Sequence, residues 1–204
     1  MKPPVITLNK EGVQRFWRNR AKKDGVRATG HTSYTLKGQD ERYRRRKQFI
    51  FTSCPRQLRT LDYGCGIGRY GKDFEHYLGV DFTEELLLIA RKRCPKARFL
   101  LLHNPYIDCD LDFDPELFFT SCVLQHNPDD VILKLFESLV PIVKGNIIFG
   151  LYENTEIQSG HMRGRTGKEY VEMINTYFEV REWETRSHRM SEEHAFTLIK
   201  AYRK

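Results

Sequence analysis

At 204 residues, with 40% hydrophobic and 30% charged residues and a formal net charge of +7, the chain suits one α/β domain with a sizeable core. No apolar run reaches the roughly 20 residues that span a bilayer, and Met1-Lys-Pro-Pro-Val lacks a signal peptide's apolar centre. A soluble, cytoplasmic chain with no membrane partner is therefore expected, and the five cysteines, at 54, 65, 94, 109 and 122, lack any metal-site or disulfide spacing.

The charge is unevenly spread. Residues 1–59 carry 16 Lys/Arg against 4 Asp/Glu, whereas residues 60–204 carry 18 against 23. A concentrated positive surface raises the local concentration of anions, which favours a substrate bearing phosphate or carboxylate, nucleic acid included. Residues 11–23 place Val13, Phe16 and Trp17 at helical apolar spacing. Residues 24–34 are rich in glycine and small polar residues and read as a loop, and a second helix over 39–52 carries the basic run Arg44-Arg-Arg-Lys47. Residues 1–57 thus read as a basic helical extension or lid packed on the core.

From residue 58 strands and helices alternate. Strands are expected over 58–63, 78–81, 98–102, 117–122 and 146–151. A short helix is expected over 69–77, and another over 84–93 with Thr83 as its cap and Glu84 and Glu85 in its first turn. Asn127 as N-cap and Pro128 at N1 open the next helix, which Pro141 limits. After a helix over 167–176, strands over 178–185 and 194–202 can pair as an antiparallel hairpin at the sheet edge. The pattern predicts a doubly wound, mostly parallel α/β sheet with a C-terminal antiparallel strand and helices on both faces.

The most informative stretch is Leu61-Asp-Tyr-Gly-Cys-Gly-Ile-Gly68, an apolar strand ending on an acid before a glycine-rich turn. Such a turn can present backbone N–H groups to a polar ligand. With Gly79-Val-Asp81-Phe82, whose Asp81 stands seventeen residues after Gly64, and Phe119-Thr-Ser-Cys-Val-Leu-Gln-His126, it resembles the class I S-adenosylmethionine (SAM)-dependent methyltransferases. The resemblance covers about residues 58–151 by motif and makes 58–204 a SAM-binding domain. It implies that Asp62, Gly64, Cys65, Gly66 and Gly68 take the methionine part, with the backbone around Cys122 and Val123 facing the same group. Asp81 can accept both ribose hydroxyls and Phe82 can cover adenine. At the third strand the family often carries an acid; here His103 and Asn104 stand in its place as candidate adenine contacts.

Gly66-Ile-Gly-Arg-Tyr-Gly71 also satisfies the dinucleotide pattern, which keeps an NAD-dependent oxidoreductase as an alternative. Reading from Gly64, the glycine close behind the strand, puts Arg69 where that motif needs its third glycine.

His126 follows the fourth strand at the ligand side of the sheet and is the candidate base. Tyr152, Glu153, His161, Arg163 and Arg165 follow the fifth strand and are candidate acceptor contacts, the arginines for an anionic group. His31 and Tyr34 lie in a loop that in related enzymes often covers the cofactor, and Tyr34 is a further candidate acceptor contact. No metal ligand set is identified, and no feature specifies an oligomeric state. The expected acceptor is an anionic small molecule; the alternatives are nucleic acid bound by the basic segment and a SAM-fold module without catalysis.

Overall fold

In the computed structural model, residues 10–23, 28–29, 35–143, 147–154, 162–187 and 195–204 are described. Seven strands form one sheet: β1 (Arg59–Tyr63), β2 (His76–Asp81), β3 (Arg98–Leu101), β4 (Leu117–Ser121), β5 (Ile147–Asn154), β6 (Phe178–Ser187) and β7 (Ala195–Arg203). Their order is β3-β2-β1-β4-β5-β7-β6. The first five are mutually parallel, and β7 lies antiparallel between β5 and β6. The expected doubly wound sheet and its edge hairpin are both present.

Alternation along each strand builds two cores. Leu61, Tyr63, Leu78, Val80, Phe118, Ile199 and Ala201 face one way. There they meet Ile132, Leu135, Phe136 and Leu139 of α4 (Asp129–Leu139) and Tyr170 and Ile174 of α5 (Gly167–Asn175). Tyr77, Leu117, Phe119, Phe196 and Leu198 face the other way, against Ile50 of α2 (Leu36–Ile50) and Leu87 of α3 (Glu84–Arg93). Burial on both faces explains the nearly continuous apolar strands. Against that background a buried acid, Asp62, is conspicuous. Finally α1 (Lys10–Ala21) packs Trp17 and Ala21 on Leu86 and Ile89 of α3, beside Ile67 of the glycine loop.

Strands β2 and β3 step outward on one side of β1, and β4 then returns to its other side. The carboxyl ends of β1 and β4 therefore flank the crevice where open α/β sheets bind ligands.

Three local expectations change. Residues 69–77 form no helix: bonds from Gly68 to Cys65, Gly71 to Gly68 and Asp73 to Tyr70 close successive four-residue turns, and β2 begins at His76. Tyr70 and Phe74 are drawn into the second core instead. Thr83 is the N-cap of α3, but its side chain makes no cap bond; the Asp81 carboxylate accepts its N–H instead. Pro128, not Asn127, is the N-cap of α4, and the Asn127 amide instead donates to the Val123 carbonyl. Among the described residues no helix is long and apolar enough to cross a membrane.

Phe118 is fully buried beneath α4, its ring 6.0 Å from that of Tyr63. Phe118→Ala is expected to cost about 3–5 kcal/mol, read as a lower urea midpoint, because the cavity it leaves sits between sheet and helix.

Candidate active site

The glycine turn is fixed to the sheet before it meets any ligand. The N–H groups of Gly64 and Cys65 both donate to the Val80 carbonyl, at 2.9 and 3.1 Å, so the loop starts bound to the end of β2. Gly64, Gly66 and Gly68 have φ of 68°, 55° and 68°. At Gly66 a Cβ would also lie 2.9 Å from Thr29 Cγ2, so this conformation and this close approach exclude a side chain.

Two carboxylates stand beneath the loop. Asp81 Oδ2 accepts the Gly66 N–H at 2.9 Å and Oδ1 accepts the Thr83 N–H at 2.8 Å. Burial pushes this carboxyl up to about 6, opposed by those same N–H groups. Asp62 accepts the Tyr77 hydroxyl at 2.6 Å, and burial pushes it up to about 8. Burial also raises the Tyr77 phenol, which stays a donor. Each Asp81 oxygen spends one lone-pair site on a backbone N–H, leaving capacity for a diol.

The β4 end supplies the facing wall. Cys122 has φ 57°, a left-handed conformation that costs a non-glycine residue roughly 1–2 kcal/mol, and lies between Ser121 and Val123 along the cavity. The Ser121 hydroxyl is 3.0 Å from that of Tyr70. A single 3₁₀ turn, Leu124–His126, follows, and the His126 ring meets Trp17 of α1 edge-on at 5.1 Å.

These elements enclose a cavity of about 560 Å³, within the size range of small-molecule sites. Asp62, Gly64, Cys65, Gly66, Asp81, Phe82, Cys122, Val123 and His126 line it. Gly68 lies behind the loop, its missing Cβ 3.1 Å from Ala90 Cβ and the Phe99 ring. The five cysteines are free, with Cys65 and Cys122 on the cavity wall. Among the described residues no cluster of metal-ligating side chains occurs.

Other expected contacts lie elsewhere. His103 is exposed, and Asn104 donates to Asp108; neither lines the cavity. Arg163 and Arg165 do not line the cavity: both ion-pair with Asp129, and Arg165, 3% exposed, also donates to the Leu124 and Asn127 carbonyls. They tie the segment after β5 to the 3₁₀ turn, where the Arg163 N–H donates to Gln125 O at 2.7 Å, and Met162 thereby reaches the cavity. His31, Tyr34 and His161 lie outside the described residues. Tyr152 and Glu153 pair through backbone with Thr197 and Phe196, and their side chains are likewise outside the described set.

The cavity also holds residues that sequence reasoning missed. Arg20, Lys23, Arg42, Arg46 and Arg69 supply five basic lining residues against the two acids Asp62 and Asp81. The available signal was the spacing of Gln39, Arg42, Tyr43 and Arg46, three and four residues apart, which puts them on one face of α2.

No family model matches the chain. A curated relative, trans-aconitate 2-methyltransferase of Variovorax paradoxus, is 31% identical over 112 residues, covering 50% of this chain and 43% of that protein. The chain thus spans less than half the length of that relative. Geranyl diphosphate C-methyltransferase from Streptomyces coelicolor, crystallised with Mg2+, geranyl diphosphate and S-adenosyl-L-homocysteine (SAH), superposes with a TM-score of 0.71 at 11% identity, covering 99% of this chain and all of that one. The N-methyltransferase NodS from Bradyrhizobium japonicum, crystallised with SAH, gives 0.70 at 13% identity, covering 94% and 98%. The fold is that of the class I SAM-dependent methyltransferases.

Arg165→Met is expected to destabilise the fold by about 1–3 kcal/mol, since buried acceptors lose their donor. It should leave SAH affinity within about twofold in calorimetry, because the side chain itself does not line the cavity; a large loss of affinity would return Arg165 to the site.

Proposed function

We propose that the chain is a SAM-dependent methyltransferase acting on a small-molecule acceptor with an anionic group. The observation that carries this reading is the pair of buried acids, Asp62 and Asp81, at the ends of adjacent strands, beneath a glycine turn open to one cavity. Such a pair suits a ligand with an ammonium at one end and a ribose diol further along. The dinucleotide pattern is weaker here, because Gly66 to Gly71 runs through turns and opens no helix.

In this reading Asp81 holds the ribose hydroxyls, Asp62 faces the ammonium, and Phe82 and Leu86 cover adenine. The bound cofactor supplies a methyl group already activated on a sulfonium. The protein's task is then alignment and exclusion of water. The described helices α1 and α2 serve as the lid: Phe16 and Trp17 of α1 and Tyr43 of α2 line the cavity over the carboxyl ends of the strands. His126, set by Trp17, takes the proton of a nucleophile that must lose one.

The anionic acceptor is favoured by the basic lining and by the names of two relatives, which act on trans-aconitate and geranyl diphosphate. On the outer face of α2, Arg44 and Arg45 both close on Glu41, so the exposed basic run is partly neutralised within its own helix. That favours a small anion in the cavity over nucleic acid on the surface.

Calorimetry should show SAM binding more tightly than NAD, with Asp81→Ala weakening SAM at least about tenfold through lost hydrogen bonds to the diol. NAD binding the more tightly, or SAM affinity unmoved in the variant, would contradict the reading.

The Asp62 carboxyl adds a pH dependence. Its folded value near 8 lies above the ordinary 3.8, so the folded state holds a proton that the unfolded chain releases. Its contribution to stability is full below about pH 4 and is lost as pH rises towards 8. A cofactor ammonium favours the ionised form, so SAH binding at pH 7 should release up to about one proton, measured by calorimetry in buffers of different ionisation enthalpy. Asp62→Asn should abolish the release.

A further inference from the structure

Tyr70 packs as a phenylalanine would. Its ring meets those of Phe119 at 5.1 Å, Tyr43 at 5.5 Å and Phe51 at 6.4 Å, and the residue is 5% exposed. Its hydroxyl is the part that the packing leaves unexplained. Burying a hydroxyl is costly unless it finds a partner, and this one lies 3.0 Å from the Ser121 hydroxyl at the carboxyl end of β4. Both residues line the cavity. Burial pushes the Tyr70 phenol up to about 12, so it stays protonated near neutral pH.

Two hydroxyls carry two protons, and their mutual bond uses one. Among the described residues each has the other as its hydrogen-bond partner, which leaves the pair one O–H for a ligand. Ser121 is the half-buried member, and its hydroxyl rotates. With Tyr70 donating to Ser121 from the core, the remaining proton faces the cavity.

Strand register fixes where that donor stands. In the β1/β4 pair Asp62 lies opposite Phe119, and Ser121, two residues on, shares the face of Phe119. Strand spacing and rise put the Asp62 and Ser121 backbones roughly 8 Å apart. An ammonium and a carboxylate on one carbon can bridge that gap with a hydrogen bond at either end. Asp81, Asp62 and Ser121 stand on the adjacent strands β2, β1 and β4. A diol on Asp81 and an amino-acid group across Asp62 and Ser121 therefore match one extended SAH molecule. The positive charge of Arg46 and Arg69 is also felt at Tyr70, and its sign suits a carboxylate irrespective of the other bonds those arginines make.

We infer that Ser121 donates to the carboxylate of the cofactor's amino-acid end, with Tyr70 as the positioning residue that holds the Ser121 hydroxyl from behind. The inference rests on the methyltransferase reading and adds a selectivity to it. The pair favours the intact amino-acid cofactor over a nucleoside thioether that lacks the carboxylate.

Calorimetry on the full chain compares SAH with its decarboxylated counterpart, in which an aminopropyl group replaces the amino-acid end and the nucleoside, sulfur and ammonium are kept. The unaltered protein should bind SAH at least about tenfold more tightly, as expected of a hydrogen bond to a charged group. Ser121→Ala should weaken SAH about tenfold and Tyr70→Phe about threefold, with the decarboxylated compound held within about twofold in both. Binding of that compound also reports that each variant is folded, and Ser121→Ala decides the matter if Tyr70→Phe is not. Equal affinity for the two compounds in the unaltered protein, or unchanged SAH affinity in the variants, would overturn the proposal and leave the methyltransferase reading standing. So would equal losses for both compounds, the result of a merely structural role. If the unaltered protein binds neither compound, the proposal and the methyltransferase reading fall together.

Discussion

The site depends on one interaction, the acceptance of the Gly66 N–H by the buried Asp81 carboxylate. A carboxylate taken out of water must be compensated, and here two backbone N–H groups do so, one from the glycine turn and one from the start of α3. The same bonds set the loop's height above the sheet. Asp81 is thereby held in one orientation from both oxygens.

From that fixed point the cavity is built in layers. The sheet order brings the carboxyl ends of β1 and β4 together, and the left-handed Cys122 turns the chain after β4 along the opposite wall. The Asp129 pairs with Arg163 and Arg165 hold the segment after β5 against that wall. Above them α1 and α2 supply aromatic and basic groups, with Trp17 touching His126 and Tyr43 bonded to the glycine-loop backbone. The cavity wall thus draws on two parts of the chain, the strand ends with their buried acids and the N-terminal helices with their aromatic and basic groups.

How much of this was legible in the sequence follows from how local each signal is. Asp62, Asp81 and the glycine turn could be read because strand, acid and glycine are neighbours in the chain, and the sheet order follows from alternating strands and helices. Arg163 and Arg165 misled because their partner, Asp129, is more than thirty residues away and an ion pair of that separation leaves no local pattern. The segment 69–77 misled because its helix-compatible residues are needed in the core, where Tyr70 and Phe74 pack. Arg42 and Arg46 were passed over because charged residues on an amphipathic helix are ordinarily assigned to solvent, and only the cavity reveals that this face points inward. His103 and Asn104 occupied a family position without the surroundings that give it meaning.

A crystal structure of the full chain with SAH tests the central claim most directly. The ribose hydroxyls should lie within hydrogen-bond distance of Asp81, adenine against Phe82, and the ammonium beside Asp62. A nucleoside bound away from Asp81, or an ammonium remote from Asp62, would contradict the reading of the two buried acids as the cofactor's anchors.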